Sequence, residues 1–393
     1  MSQPGKPASS WLNPDACRVD DLHQVVQQPI SLEQLAWASD LQQQVPIYDA
    51  IALRSRLQQD GSKRSELLSE WRWVWESGPG MVVIRSAFTD HEVLDATSAA
   101  FQQIIAAERG SGRGDHFAKP GANDRIWNAL EKLCLHDPAL FARYYANDMV
   151  AWAATAWLGP GYQLTSQVNV VNPGGAAQTP HRDYHLGFMT AEQAAAFPEQ
   201  VHRLSPLLTL QGAIAQIDMP LESGPTLYLP HSQKYRDGYL VAQHPDFQAY
   251  FAEHHVQLPL HKGDAVFFNP ALLHAAGHNR SRSIRRMANL LQISSAFGRA
   301  MEAMDRLTMS LALYPSLLEA QHSGQWQAAE IGYAIAACAE GYAFPTNLDR
   351  DPPLDGLAPP SQADLLQQAL AEAWPLAQLQ AALEQNVWRR QTH

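Results

Sequence analysis

Residues 162–172 read YQLTSQVNVVN, and their alternation decides the fold class. Leu164, Val168 and Val170 fall on one face of an extended segment, and Thr165, Gln167, Asn169 and Val171 on the other. Upstream the pattern is helical and stops at Gly159-Pro160, a strong terminator. Downstream, strand patterns return at 208–219, 225–230, 255–260, 264–269 and 284–294. Turn clusters separate them: Pro173-Gly174-Gly175, Glu222-Ser223-Gly224-Pro225 and Lys262-Gly263-Asp264. Short strands joined by turns, without a helix between each pair, predict antiparallel sheets closed as a sandwich or barrel.

Helical patterns surround this block. A strand at 80–88 (GMVVIRSAF) precedes a helix capped by Thr89 or Asp90, and helical spacing resumes over 126–159. From Ser31 to Glu76 the apolar spacing is also helical, with Ser31 as N-cap and Glu33 in the first turn. Residues 1–30 read as an irregular arm and the glycine-rich 110–125 as a mobile loop. The expected class is mainly β with flanking helices (α+β). Its parts are an arm and helical extension over 1–79, a core over 80–299 and a C-terminal helical extension over 300–393, joined in one integrated domain.

Composition narrows the function classes. The chain has 393 residues, a formal net charge of −11, 46% hydrophobic and 17% charged residues. That supports a large core and excludes a disordered polyelectrolyte. The acidic balance argues against a nucleic-acid partner, which calls for a basic face. Cys17, Cys134 and Cys338 are far apart and read as reduced intracellular thiols. The first fifteen residues lack the apolar run of a signal peptide, and the most apolar stretch, 139–159, is interrupted by Arg143, Asn147 and Asp148. The expectation is a cytoplasmic protein without a membrane or nucleic-acid partner; the oligomeric state is not legible.

The segment TPHRDYHLGF (179–188) contains His181-Arg182-Asp183. A His and an Asp two apart on an extended segment share a side, so an imidazole and a carboxylate can meet one divalent ion; a His held by a neighbouring carboxylate is the plain alternative. In KGDAVFFNPALLHAAGHNRSRSIRRMANLLQIS (262–294), an aromatic-rich strand runs into His274. Two His and one carboxylate make the facial triad of non-haem Fe(II) oxygenases, which leaves one face of the octahedron open. Eleven residues on, Arg285 offers a planar fork that suits a carboxylate such as that of 2-oxoglutarate.

Several segments in order resemble the phytanoyl-CoA dioxygenase (PhyH) family of Fe(II)/2-oxoglutarate-dependent oxygenases, over about residues 80–300. They are the VIRSAF strand before a helix, NPGGAAQTPHRD, ESGPTLYLPHSQK and GDAVFFNPALLHAAGHNRS…RR. His231 replaces the family's usual Gly in the third, and Ala275 and Ala276 replace Gly and Ser in the fourth. The resemblance implies a double-stranded β-helix, a jelly-roll (cupin-like) core. It makes His181, Asp183 and His274 metal ligands, and gives Arg285 the 2-oxoglutarate distal carboxylate, with Arg286 as competitor. It also implies Arg125 as a further cosubstrate contact.

Other residues carry two readings. His278 competes with His274 as distal ligand but lies inside the turn. The polar face of 162–172 either meets water or lines a cofactor cavity, where Gln167 or Asn169 would bond 2-oxoglutarate; Gln211 is a further candidate. Tyr184, His185 and Phe188 are expected in a substrate pocket, with Arg203 near it. Arg182 should face away from the metal and pair with an acid. His254, His255 and His261 read as solvent-facing loop residues, and Trp71, Trp73 and Trp75 as helix packing.

The expected activity is that of an oxidoreductase, a dioxygenase that uses Fe(II), 2-oxoglutarate and O₂. It would hydroxylate a C–H bond of a small molecule and release succinate and CO₂. In the resemblance, Asp183 argues against halogenation, because halogenases of this type lack the carboxylate. The alternative is a metal-binding cupin-like protein without oxygenase activity, a sensor or a metal-dependent isomerase.

Overall fold

The alternation of 162–172 becomes one strand near the middle of a large sheet. The computed structural model describes residues 11–108, 123–354 and 356–393. Its strands are β1 (Asp40–Gln42), β2 (Val45–Asp49), β3 (Met81–Arg85), β4 (Asn123–Ile126), β5 (Gln163–Val171), β6 (Thr209–Ala215), β7 (Leu227–Tyr228), β8 (Val256–Gln257), β9 (Ala265–Phe268), β10 (His274–Ala275) and β11 (Arg286–Ser294). Eight form one sheet in the order β1-β2-β3-β9-β6-β11-β5-β4; the other three form a small sheet, β10-β7-β8. All pairings are antiparallel except β2 with β3. The class is mixed α+β, with a jelly-roll core of two facing sheets.

The side-chain period of two sorts the large sheet into two environments. Leu164, Val168, Val170, Leu210, Ile214, Ala265, Phe267, Met287, Leu291 and Ile293 join the main core, beneath helices that include Ala129–His136, Pro138–Tyr145, Asp148–Leu158 and Arg306–Ser323. On the opposite face, Gln167, Asn169, Gln211, Ala213, Ala215, Ala288, Leu290 and Gln292 line a cavity. A second core, with Val83, Val266, Phe268, Tyr228, Leu258 and Leu260, lies between the sheets. Of the C-terminal segment, helix Ala328–Cys338 packs on β5 at the outer face of the large sheet, beside the helices from 64–158, so the sheet stands between it and the cavity. Trp71 and Trp75 are fully buried in helix Arg64–Glu76, which bears out helix packing for these tryptophans.

Several expectations need correction. Residues 31–76 are not one helix: Ser31 and Gln34 form a capping box on a single 3₁₀ turn, and β1 and β2 intervene before helices Ala50–Gln59 and Arg64–Glu76. A helix through this stretch would carry Pro46 in its interior, at about 3 kcal/mol. As a strand it buries Val45 and Ile47 between the sheets and Tyr48 in the main core, at about 1.5–3 kcal/mol for a large apolar side chain. The N-terminal segment thus extends the core sheet. Val19–Val26, placed in the irregular arm, is helical, and 123–125, placed in the glycine-rich loop, belong to β4; residues 110–122 of that loop lie outside the described residues. Among the described residues, no helix is long and apolar enough to cross a membrane.

Candidate metal centre

His181, Asp183 and His274 come together because two chain segments are strapped side by side. His181 N–H donates to the His274 carbonyl at 3.0 Å, His274 N–H returns the bond at 3.1 Å, and Asp183 N–H donates to Pro270 O at 3.1 Å. On the far side, β10 pairs with β7 through His274 and Tyr228. The Nδ1–H of His181 donates to Thr179 O and that of His274 to Leu272 O, both at 2.8 Å. These carbonyls accept only, so they fix the tautomer and leave each Nε2 with a free lone pair. His181 Nε2 lies 3.6 Å from Asp183 Oδ1, and His274 Nε2 lies 3.4 Å from Oδ2. One ligand atom from each residue falls within 4.8 Å of the others.

The electrostatics suit a cation. Burial and then the neighbouring His274 push the His181 imidazole below its ordinary range, towards the neutral, ligating form. Burial alone would raise the Asp183 carboxyl, but a hydrogen bond from His274 and the charges of both imidazoles, in their protonated forms, together with the Gln211 amide outweigh it and hold the group well below the usual carboxylate range. Gln211 Nε2 donates to Asp183 Oδ2 at 2.5 Å and to Gln292 Oε1 at 3.3 Å. Tyr228 stacks along His274 at 6.4 Å between ring centroids, and Phe268 meets it edge-on at 4.9 Å.

The site opens into a cavity of about 770 Å³ between the sheets. Here the structure separates the two arginines, and it is Arg286 that lines the wall. Arg286 pairs with Val171 in register and shares its face with Ala288, Leu290 and Gln292. Arg285 falls on the opposite side, where it bonds Asn172 Oδ1 and Asp124 Oδ2, both at 3.1 Å, with its side chain 49% exposed. The expectation for Arg285 is corrected by one residue, and in a strand one residue is a change of face. Arg286 is 6% exposed and donates to the carbonyls of Ser223 and Gly277, each at 3.3 Å. Burial pushes its guanidinium down to about 10, so it stays charged at neutral pH. Among the described residues, no carboxylate pairs with it. A facial N,N,O donor set and a buried cation on one wall fit a divalent metal and an anionic cosubstrate.

The other expected residues divide. Arg125, Gln167, Asn169 and Gln211 line the cavity, and Phe188 stands at its mouth. Tyr184 and His185 do not line it: φ is +66° at Tyr184 and +42° at His185, so the chain enters a 3₁₀ turn and the alternation ends after Asp183. Tyr184 is buried beside the site, and His185 Nδ1 bonds Ser205 Oγ at 3.1 Å. Arg203 is exposed and pairs with Glu199. Arg182 does face away, but it finds no acid among the described residues: it donates to the carbonyls of Ser232 and Tyr235 beneath the Tyr239 ring. His278 is exposed and outside the triad. His254 and His255 end a helix and stack on Tyr250 and Phe251, while His261 is exposed.

The departures from the family motif are accommodated locally. Ala275 pairs with Leu227, and Ala276 O accepts the Gln178 N–H at 3.0 Å. His231 takes φ +70°, a conformation that favours glycine, and its ring is buried. Sequence reasoning missed Gln292, whose parity with Arg286 along β11 would have found it. It also missed Trp127, Met301 and Glu302, which carry no local signal.

The sequence model of the phytanoyl-CoA dioxygenase (PhyH) family matches residues 78–287. The chain belongs to this family. No curated protein sequence matches it. Similar solved structures include the epimerase SnoN in complex with Fe3+, alpha ketoglutarate and nogalamycin RO, at 19% identity and a TM-score of 0.42, covering 60% of this chain and 85% of that one. The alpha ketoglutarate dependent carbocyclase SnoK from nogalamycin biosynthesis is similar at 22% identity and a TM-score of 0.43, covering 59% and 86%. AviO1 from Streptomyces viridochromogenes Tue57 is similar at 17% and 0.41, covering 56% and 93%.

Proposed function

We propose that this member of the PhyH family is an Fe(II)- and 2-oxoglutarate-dependent dioxygenase that hydroxylates a C–H bond of a small molecule. The observation that carries the reading is the pairing of a His-Asp-His triad with Arg286, a buried cation without a carboxylate partner among the described residues, on one cavity wall. His181, Asp183 and His274 would hold the metal on one face and leave the other face open. Fe(II) bound there would supply, with 2-oxoglutarate and O₂, the oxidation of the C–H bond, with succinate and CO₂ released.

The chain's own residues do the rest. Thr179 O and Leu272 O hold the imidazole tautomers, and Gln211 holds one Asp183 oxygen. The Arg286 fork would take the far carboxylate of 2-oxoglutarate bidentately. Val83, Val266, Phe268, Leu258 and Leu260 line this region with an apolar wall that would limit water around the bound cosubstrate. A metal-binding protein without oxygenase activity would need no buried cation at that position.

Anaerobic addition of Fe(II) and 2-oxoglutarate tests the reading: it should produce a visible charge-transfer band. Admission of O₂ should then convert 2-oxoglutarate to succinate slowly even without substrate. Absence of both the band and succinate would sink it.

A further inference from the structure

The cavity wall carries carbonyl oxygens that neither the protein nor the proposed cosubstrate satisfies. Gln211 is 3% exposed and commits its amide nitrogen to Asp183 Oδ2 and Gln292 Oε1. The carboxylate only accepts, so it fixes which way the amide points. Gln211 Oε1 is therefore left buried on the cavity wall, without a partner among the described residues. Two strands away, Gln167 repeats the arrangement. Its amide nitrogen reaches Met301 Sδ at 3.3 Å and Glu302 Oε1 at 3.4 Å, and Glu302 Oε1 also accepts the Asn128 N–H at 2.8 Å. The Gln167 carbonyl oxygen is left over. Asn169 follows on the same face, and its Oδ1 is also buried without a partner among the described residues.

Buried acceptors in folded proteins are normally bonded, so the two buried oxygens of Gln211 and Asn169 call for donors, with Gln167 Oε1 open to the cavity on the same wall. 2-Oxoglutarate cannot supply them: as a dianion it offers only acceptors. The donors must come with the substrate. A bound metal dication disfavours an ammonium group and favours neutral donors, of which hydroxyls are the commonest. Trp127 and Met301 add apolar lining near these amides, and Phe188 stands at the mouth. That mixture suits a ring compound with hydroxyl edges and apolar faces.

We propose that the substrate is a polyhydroxylated ring compound of glycoside type, whose hydroxyl donors are read by Gln211, Gln167 and Asn169. The proposal rests on the dioxygenase reading and deepens it by naming the substrate class. Glu302 is a positioning residue in this scheme, because it turns the Gln167 amide so that the carbonyl is left to the cavity. A linear hydrocarbon chain would leave all three oxygens unmet.

The test uses the full chain with saturating Fe(II) and 2-oxoglutarate under argon. The probes are 2-naphthyl β-D-glucopyranoside and its fully O-methylated form, which keeps the acceptors and loses the donors; binding is measured by equilibrium dialysis. The glucoside should bind about tenfold or more tightly than the methylated form, because a site built to bond hydroxyls rejects an analogue without them. Gln167→Leu and Gln211→Leu should each shrink that ratio several-fold, and Glu302→Gln should shrink it less. Equal binding of the two probes, a preference that survives both Leu substitutions, or no glucoside binding by protein that shows the 2-oxoglutarate band would each overturn the proposal. Absence of the band itself would instead overturn the dioxygenase reading.

Discussion

Replacing Arg286 by Ala tests the one-residue correction most directly. In the wild-type protein the guanidinium is 6% exposed and has two carbonyl contacts but no anion among the described residues. A carboxylate bound there would gain a desolvated, charge-assisted pair, and truncating one partner of such a pair costs about 2–5 kcal/mol. Water entering the truncated site offsets part of the loss, which places the expected cost near 3 kcal/mol, or about 150-fold in 2-oxoglutarate affinity. Arg286→Lys keeps the charge but loses the fork, so it should fall between, about tenfold weaker than wild type. Arg285→Ala removes an exposed pair with Asp124, worth about 0–1 kcal/mol, and should shift 2-oxoglutarate affinity less than threefold. Anaerobic titration of 2-oxoglutarate into Fe(II)-loaded protein, followed by the charge-transfer band, measures all three variants. Circular dichroism and metal affinity confirm that Arg286→Ala is folded. A large loss in Arg285→Ala with a small one in Arg286→Ala would refute the reasoning.

Three further outcomes are expected. His181→Ala, Asp183→Ala or His274→Ala should abolish tight binding of Co(II), used as a spectroscopic probe, whereas His278→Ala should leave it unchanged; retention of the Co(II) spectrum in any triad variant would unseat that ligand. Gln211→Leu frees Asp183 from its hydrogen bond and should weaken Co(II) binding about 10- to 100-fold at an unchanged apo melting temperature; affinity within twofold of wild type would remove Gln211 from the metal site. His231 titrates low when folded, pushed down to about 4 by burial and then by the Lys234 cation. Between that value and the unfolded value near 6.5 the unfolded chain binds the extra proton, so stability is full above about 6.5 and falls as pH drops towards 4, by at most about 3 kcal/mol. The urea midpoint should therefore drop between pH 7 and pH 5 in wild type and drop less in His231→Gly. Equal drops would refute this.

By itself the sequence determined what depends on local period and on residue type. The alternation of 163–171 marked a long strand and sorted its side chains into two faces, because a pleated strand sends successive side chains to opposite faces; 286–294 was legible as a strand, but not which of its faces meets the cavity. The same rule put His181 and Asp183 on one side and Gln167 with Asn169 on one face; whether that face met water or a cavity stayed open, and the structure put Gln167, Asn169 and Gln211 on the cavity wall. Tertiary structure decided the rest, because those features depend on pairings between residues far apart in the chain. Residues 40–49 became strands because β3 offered an edge and the space between the sheets took Val45 and Ile47. Arg286 replaced Arg285 because the register with Val171 sets the face, and spacing from His274 carries no register. Tyr184 and His185 left the pocket at a left-handed turn that pattern alone does not encode. Glu302, beyond the last strand, reaches Gln167 only through the folding of the chain end onto β5.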